Sequence, residues 1–216
     1  MNLHDLCARI REQGVVAILR ADSSDRLVST ALALAEGGVD IVEITMTTPN
    51  ALAAIEAARK AASGGMVVGV GSVLDGETAR AALLAGAEFV VSPVVKAEVM
   101  QVCRRYQVPS MAGAFTPTEA LTAHEAGADF VKIFPANLLG PGFLKDILAP
   151  MPHLSPVPTG GIDASNAGAY LEAGAAAVGV GSALAKKDWI AEGRFGLLTN
   201  AARELASAVE AARRKR

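Results

Sequence analysis

Cysteine, histidine and aromatic residues are scarce in this chain, and each shortage closes off a class of explanation. Two cysteines, Cys7 and Cys103, are too few for a disulfide framework or a metal knuckle. Both fall in stretches with helical patterning, where a lone thiol behaves as a small buried apolar group and suits a reducing cytosol. The three histidines, His4, His124 and His153, offer no two at ligand spacing, so no metal is expected. Aromatics make up 4% of the chain while Ala, Val and Gly abound, which calls for a core of small and branched side chains. Neither sign of charge is in excess, with 20 Lys and Arg against 22 Asp and Glu and a formal net charge of −2. That balance provides no field to hold nucleic acid or an anionic membrane. Long apolar runs are missing too: the stretch 173–185 has 13 charge-free residues, short of the roughly 20 that a bilayer span needs. The first eleven residues, interrupted by Asp5, Arg9 and Arg11, lack the apolar centre of a secretion signal. A cytoplasmic protein with no membrane or nucleic-acid partner is the expectation.

What the chain does have is a hydrophobic content of 51% over 216 residues, enough for one large core and a single domain, 1–216. One phrase recurs four times along it. The copies are Glu36-Gly-Gly-Val-Asp-Ile-Val-Glu43, Ala85-Gly-Ala-Glu-Phe-Val-Val91, Ala126-Gly-Ala-Asp-Phe-Val-Lys132 and Ala173-Gly-Ala-Ala-Ala-Val-Gly179. Their glycines, Gly38, Gly86, Gly127 and Gly174, lie 48, 41 and 47 residues apart. Each phrase reads as a helix end, a glycine able to take positive φ, and a short apolar strand. One more apolar run lies between successive phrases, which predicts eight strands at 15–20, 40–45, 66–71, 88–92, 109–113, 129–134, 156–160 and 176–180. Segments of helical periodicity follow each strand, as in Ala51, Ile55 and Ala58, and a further helix over 3–13 precedes the first. Nearly continuous Val, Ile and Ala runs alternating with helices imply a parallel sheet buried on both faces. Eight such units predict an α/β fold, a closed (β/α)8 TIM barrel with an extra N-terminal helix; an open doubly wound sheet is the alternative.

In such a barrel the working face is the C-terminal end of the strands. Of the seven lysines, Lys132 alone interrupts an apolar strand, within Asp129-Phe-Val-Lys-Ile-Phe-Pro135. Alternation puts Phe130, Lys132 and Phe134 on one face. An ammonium drawn out of water there favours its neutral, nucleophilic form, which condenses with ketones. The plainer reading is a structural ion pair with Glu43, itself on an apolar strand, although a buried pair is a costly way to fill a core. If Glu43 and Thr45 also face inward, a carboxylate and an amine converge, the minimum for imine chemistry with proton transfer.

Two glycine-bearing turns close the chain, Pro158-Thr-Gly-Gly-Ile162 and Gly179-Val-Gly-Ser182. Loops after the seventh and eighth strands frequently bind phosphate through backbone N–H groups, and Ser182 adds a hydroxyl. Asp163-Ala-Ser-Asn166 supplies cap candidates for the following helix. Gly69-Val-Gly-Ser-Val-Leu74 lacks the third glycine of a dinucleotide fingerprint. The basic end, Arg213 to Arg216, reads as a solvated helix terminus.

With Val42-Glu-Ile-Thr45, Gly69-Val-Gly-Ser-Val-Leu74, Val131-Lys-Ile-Phe-Pro-Ala136 and the two closing turns, the whole chain resembles the 2-keto-3-deoxy-6-phosphogluconate (KDPG)/4-hydroxy-2-oxoglutarate aldolase family. The resemblance implies a homotrimer without cofactor or metal, a Schiff-base lysine at Lys132, an acid/base glutamate at Glu43 and a phosphate site at Gly160, Gly161, Gly181 and Ser182. Substrate contacts would come from Arg20, Thr45, Thr47, Ser72, Pro93, Thr116, Phe134 and Thr159, with Phe134 and Pro93 as an apolar wall beside the amine. Two departures stand out: Thr47 occupies the place of the arginine that holds the substrate carboxylate in well-known members, and Ser72 replaces a threonine. Arg20, ending the first strand, is the candidate source of the missing charge. The implied reaction is cleavage of 2-dehydro-3-deoxy-6-phosphogluconate to pyruvate and glyceraldehyde 3-phosphate, with 4-hydroxy-2-oxoglutarate as a further substrate. The galactonate epimer, a barrel isomerase or epimerase with Glu43 as base, and a non-catalytic phospho-sugar binder are the alternatives.

Overall fold

The computed structural model describes residues 1–62 and 65–214. Eight strands form one parallel sheet: β1 (Val15–Leu19), β2 (Ile41–Thr45), β3 (Val67–Gly71), β4 (Val90–Val91), β5 (Ser110–Ala114), β6 (Phe130–Ile133), β7 (Pro156–Pro158) and β8 (Val178–Val180). From β1 to β7 each pairs with the next along the chain, and β1 pairs with β8. A parallel bridge between Thr159 and Gly179, with Ala176 N–H donating to the Pro156 carbonyl at 2.8 Å, joins β7 to β8 and closes the cylinder. This is the (β/α)8 barrel that the repeat predicts. The four repeat glycines all adopt left-handed backbone, φ +91° to +107°, at the reversal from helix to strand.

Helix α1 (Leu3–Gln13) precedes the barrel, and α2 (Leu27–Glu36), α3 (Ala51–Ala61), α4 (Gly76–Leu84), α5 (Ala97–Tyr106), α6 (Pro117–Glu125), α7 (Gly140–Leu148) and α8 (Ala167–Glu172) follow the first seven strands. After β8 the chain departs from the expected single helix. It forms a short α9 (Lys187–Glu192) and then the 19-residue α10 (Phe195–Arg213), which packs on both α8 and α2 and so bridges the last and first helices of the ring. Contact with α2 is intimate: a Cβ on Gly37 would sit 2.4 Å from the Thr199 carbonyl oxygen.

Two apolar clusters follow from strand alternation. One fills the layer between strands and outer helices; the other fills the barrel floor with Val16, Ile41, Val67, Phe89, Met111, Phe130 and Val157. Leu6, Cys7 and Ile10 of α1 belong to the floor cluster, so the N-terminal helix plugs that end. Asn2 and Asp5 cap α1 reciprocally, an arrangement worth about 1 kcal/mol. Its C-terminal carbonyls, at Arg11 and Glu12, accept from the Arg213 guanidinium. The basic end is therefore not simply solvated: Arg213 ties α10 to α1, Arg214 pairs with Glu210, and Lys215 and Arg216 lie outside the described residues. Among the described residues no helix is long and apolar enough to cross a membrane.

Candidate active site

Strand parity decides which side chains enter the barrel. On β2, Val42 and Ile44 pack towards the helices, leaving Ile41, Glu43 and Thr45 to point inward. On β6, Val131 and Ile133 face the helices while Phe130 and Lys132 face the interior. Three strands separate β2 from β6 in either direction around the sheet, so Glu43 and Lys132 stand on opposite walls. Both lie above the apolar floor and both are buried, at 2% and 7% exposure.

Burial pushes the Glu43 carboxyl above its ordinary range, and the positive charges of Lys132 and then Arg20 pull it partly back. The two opposed groups thus share one electrostatic field. Among the described residues, however, neither takes part in a salt bridge. A direct ion pair, the plainer reading of this lysine, has no contact to support it.

Glycines shape the space around the pair. A Cβ on Gly71 would fall 1.7 Å from Glu43 Oε1, so the carboxylate lies over bare backbone of β3. Gly113 is the register neighbour of Lys132, and a Cβ there would fall 2.0 Å from the Pro93 carbonyl oxygen. The loop after β4 therefore closes onto β5 only because that position is glycine. The Phe134 ring centroid lies 5.4 Å from Lys132 Nζ and covers one side of the amine, with Phe134 itself exposed and Pro93 half-buried. A separate cavity of about 650 Å³, lined in part by His4, Arg11 and Asp129, opens at the opposite end of the barrel and touches neither Glu43 nor Lys132.

The remaining expected residues divide by what already occupies them. Arg20 is exposed at the end of β1 and close enough to act on the Glu43 carboxyl. Thr45 is buried and donates to the Leu19 carbonyl at 3.2 Å, and exposed Thr47 folds back to bring its hydroxyl 3.0 Å from that of Thr45. Ser72, ending β3, is half-buried with left-handed backbone at φ +60°, an uncommon state for a residue with a side chain. The Thr116 hydroxyl is committed to capping α6, donating to Glu119 Oε2 and accepting from Glu119 N–H. Thr159 is buried at the end of β7 and donates to the Val157 carbonyl at 3.3 Å. In the closing turns, Gly160 and Gly161 take φ of +103° and +69°, while Gly181 is half-buried and Ser182 exposed. Among the described residues no protein acceptor takes the N–H of Gly161 or Ser182, whereas the bridge of Thr159 to Gly179 turns the Gly160 N–H towards the Gly179 carbonyl.

Known proteins resemble this chain over most of its length. The KDPG and KHG aldolase family model matches residues 6–200. The chain belongs to that family. A probable 2-dehydro-3-deoxy-6-phosphogalactonate aldolase of Rhizobium meliloti is 37% identical over 81% of this chain and 83% of its own. A 2-dehydro-3-deoxy-phosphogluconate aldolase of Treponema pallidum is 35% identical over 92% of this chain and 93% of its own. Among solved structures, the KDPG aldolase of Legionella pneumophila, with pyruvate captured as a covalent carbinolamine, superposes with a TM-score of 0.84 at 26% identity, covering 92% of this chain and 97% of that one. The protein is accordingly an aldolase, a carbon–carbon lyase, and the isomerase and binding-only alternatives fall away.

Two features of the aldolase escape a reading of its sequence. Asn166 occupies the N-cap position of α8 without capping it; its side chain instead accepts from Asp163 N–H at 3.0 Å and donates to the Gly161 carbonyl at 2.9 Å. The Asp-Ala-Ser-Asn run signals such a turn, but not that it would brace the second glycine. His124 and His153, distant in sequence, bring their ring centroids within 4.7 Å on the outer surface, a contact no local spacing could announce.

Proposed function

We propose that Lys132 is the Schiff-base nucleophile, that Glu43 moves the protons, and that the substrate is 2-dehydro-3-deoxy-6-phosphogluconate. The observation that carries this reading is a buried amine facing a buried carboxyl across the barrel, with no salt bridge among the described residues spending either one. The neutral amine adds to the C2 ketone to give a carbinolamine, and loss of water leaves an iminium. Removal of the C4 hydroxyl proton by Glu43, through a water, sends the C3–C4 electron pair into the iminium. Glyceraldehyde 3-phosphate leaves as the aldehyde. Glu43 returns a proton to C3 of the enamine, and hydrolysis frees pyruvate and the lysine.

Arg20 supplies positive charge at the mouth for the substrate carboxylate, since Thr47 has no charge to give. Thr45, Ser72 and Thr159 border the chain of the sugar acid, and Phe134 and Pro93 keep water from the amine. The N–H groups of Gly161 and Ser182, without a protein acceptor among the described residues, suit a terminal phosphate, with Gly160 and Gly181 allowing its close approach. Without that phosphate, 4-hydroxy-2-oxoglutarate reaches the same lysine and is the slower substrate. The name of the Rhizobium meliloti relative favours the galactonate epimer as a second reading. Comparing kcat/KM for the two six-carbon substrates decides between them.

Pyruvate with borohydride is expected to leave a stable mass adduct on Lys132, unaffected by EDTA and absent from Lys132→Ala. Turnover that survives in Lys132→Ala would refute the assignment.

We further infer a homotrimer and a reducing, cytoplasmic setting. Leu74, Val94, Phe115 and Leu138 are all exposed, and they follow β3, β4, β5 and β6 in turn, on one continuous stretch of rim. Both cysteines are buried, and burial pushes Cys7 up to about 11 and Cys103 to about 12, so neither thiol is poised for oxidation.

A further inference from the structure

Asn137 lies beyond the residues that the family resemblance brings forward, yet the fold carries it to the closing turn of the site. It sits in the 3-10 turn Ala136–Leu138 that follows the lysine strand. That turn is fastened to β7 and α8: Ala136 N–H donates to the Thr159 carbonyl at 2.8 Å, and the Tyr170 hydroxyl donates to the Ala136 carbonyl at 3.1 Å. Asn137 is thereby laid against the two glycines. A Cβ on Gly161 would fall 2.6 Å from Asn137 Cβ, and one on Gly160 would fall 3.6 Å from Asn137 Oδ1. The glycines therefore make room for Asn137 as well as for a ligand.

The amide itself is uncommitted. Among the described residues the Asn137 side chain makes no hydrogen bond, and the residue is exposed at the mouth. A primary amide carries two donors on a short, uncharged stem, and it can meet an anion without the desolvation cost of a lysine. Its neighbour on the turn, Gly161, offers an N–H with no acceptor among the described residues. Donors from the backbone and from a side chain that the preceding strand delivers thus gather at one place.

We propose that Asn137 donates a hydrogen bond to the terminal phosphate and sets the preference for phosphorylated over phosphate-free keto acids. This rests on the phosphate-binding reading of the closing turns given above. The residue touches the end of the substrate remote from the reacting bond, so its contribution enters through binding of the anion while the imine chemistry at Lys132 proceeds unaided by it.

The test compares wild type, Asn137→Ala and Asn137→Asp on 2-dehydro-3-deoxy-6-phosphogluconate and on 4-hydroxy-2-oxoglutarate, with inorganic phosphate as a competitive inhibitor. Asn137→Asp places like charge beside the phosphate and is expected to raise KM for the phosphorylated substrate at least about tenfold. Asn137→Ala is expected to raise it about threefold to tenfold, and both variants weaken inhibition by inorganic phosphate in parallel. Turnover of 4-hydroxy-2-oxoglutarate and the borohydride adduct with pyruvate should change less than about twofold, a split that a merely structural role would not produce. Equal losses on both substrates, or no loss on either, would overturn the role of Asn137 while leaving the phosphate turn standing. A wild type that gains nothing from the phosphate group and is not inhibited by inorganic phosphate would remove the phosphate reading and this role together.

Discussion

Glu43 answers two opposed demands. In the proton-carrying role proposed for it the carboxyl must ionise, yet burial disfavours the ionised form and holds its pKa above the ordinary value, with Lys132 and Arg20 restoring only part of the difference. Linkage fixes the sign of the consequence. A folded carboxyl with a raised pKa keeps a proton that the unfolded chain has released, so folding is relatively favoured in acid and loses that advantage as pH rises from 4.5 through the folded value. Glu43→Gln cannot titrate. Its stability relative to wild type should therefore climb across that window and level off above it, in urea midpoints taken between about pH 4 and pH 8. A difference that stays flat with pH would show the carboxyl to be unperturbed. The same variant should lose about 10²- to 10⁴-fold in kcat, and with it the acidic limb of the wild-type rate profile. Lys132 and Glu43 stand out in the sequence because each breaks an otherwise apolar strand; parity groups Glu43 with Thr45 but does not say which face is interior, and the packing of Val42 and Ile44 against the helices decides that. Thr47 and Thr116 were not, because only loop geometry reveals that one hydroxyl folds back on Thr45 and the other is consumed in a helix cap.

Glycines in the strands are best understood one element at a time, since two of them flank the site for different reasons. Gly71 on β3 yields its space to the end of a flexible side chain, the Glu43 carboxylate, whereas Gly113 on β5 yields its space to the backbone at Pro93. The first conflict can be relieved by rotating a side chain; the second requires the loop after β4 to move. Gly71→Ala should consequently fold with a melting temperature near wild type while its kcat drops by about two orders of magnitude, as a misplaced proton carrier would produce. Gly113→Ala should lose about 2 kcal/mol or more of stability, in the range of overpacked cores, before any effect on chemistry is read. Reversal of those two outcomes in paired melting and steady-state measurements would mean the glycines serve other ends. At this scale the sequence is informative: every strand falls within two residues of its expected limits, and the repeat glycines mark where the helices before β2, β4, β6 and β8 stop. The double helix after β8 was not foreseen, since amphipathic patterning tells that a segment packs but not that α10 would reach across to α2.

For the whole molecule the unresolved demand is the apolar rim. A barrel monomer can expose single leucines at little cost, but Leu74, Val94, Phe115 and Leu138 follow four adjacent strands and share the mouth with Phe134. The overall charge does nothing to forbid self-association, at a formal −2 for the chain. A closed ring of three, each copy burying this stretch against the next, removes the patch from water and leaves no open end for filaments. Sedimentation equilibrium of wild type should give three times the chain mass, and Val94→Asp combined with Leu138→Asp should give the monomer. Neither substitution touches the barrel interior, so the double variant should retain the pyruvate–borohydride adduct at Lys132 even when dissociated. A wild type that sediments as a monomer would deny the trimer outright, and a double variant that remains trimeric would move the interface to another face of the barrel.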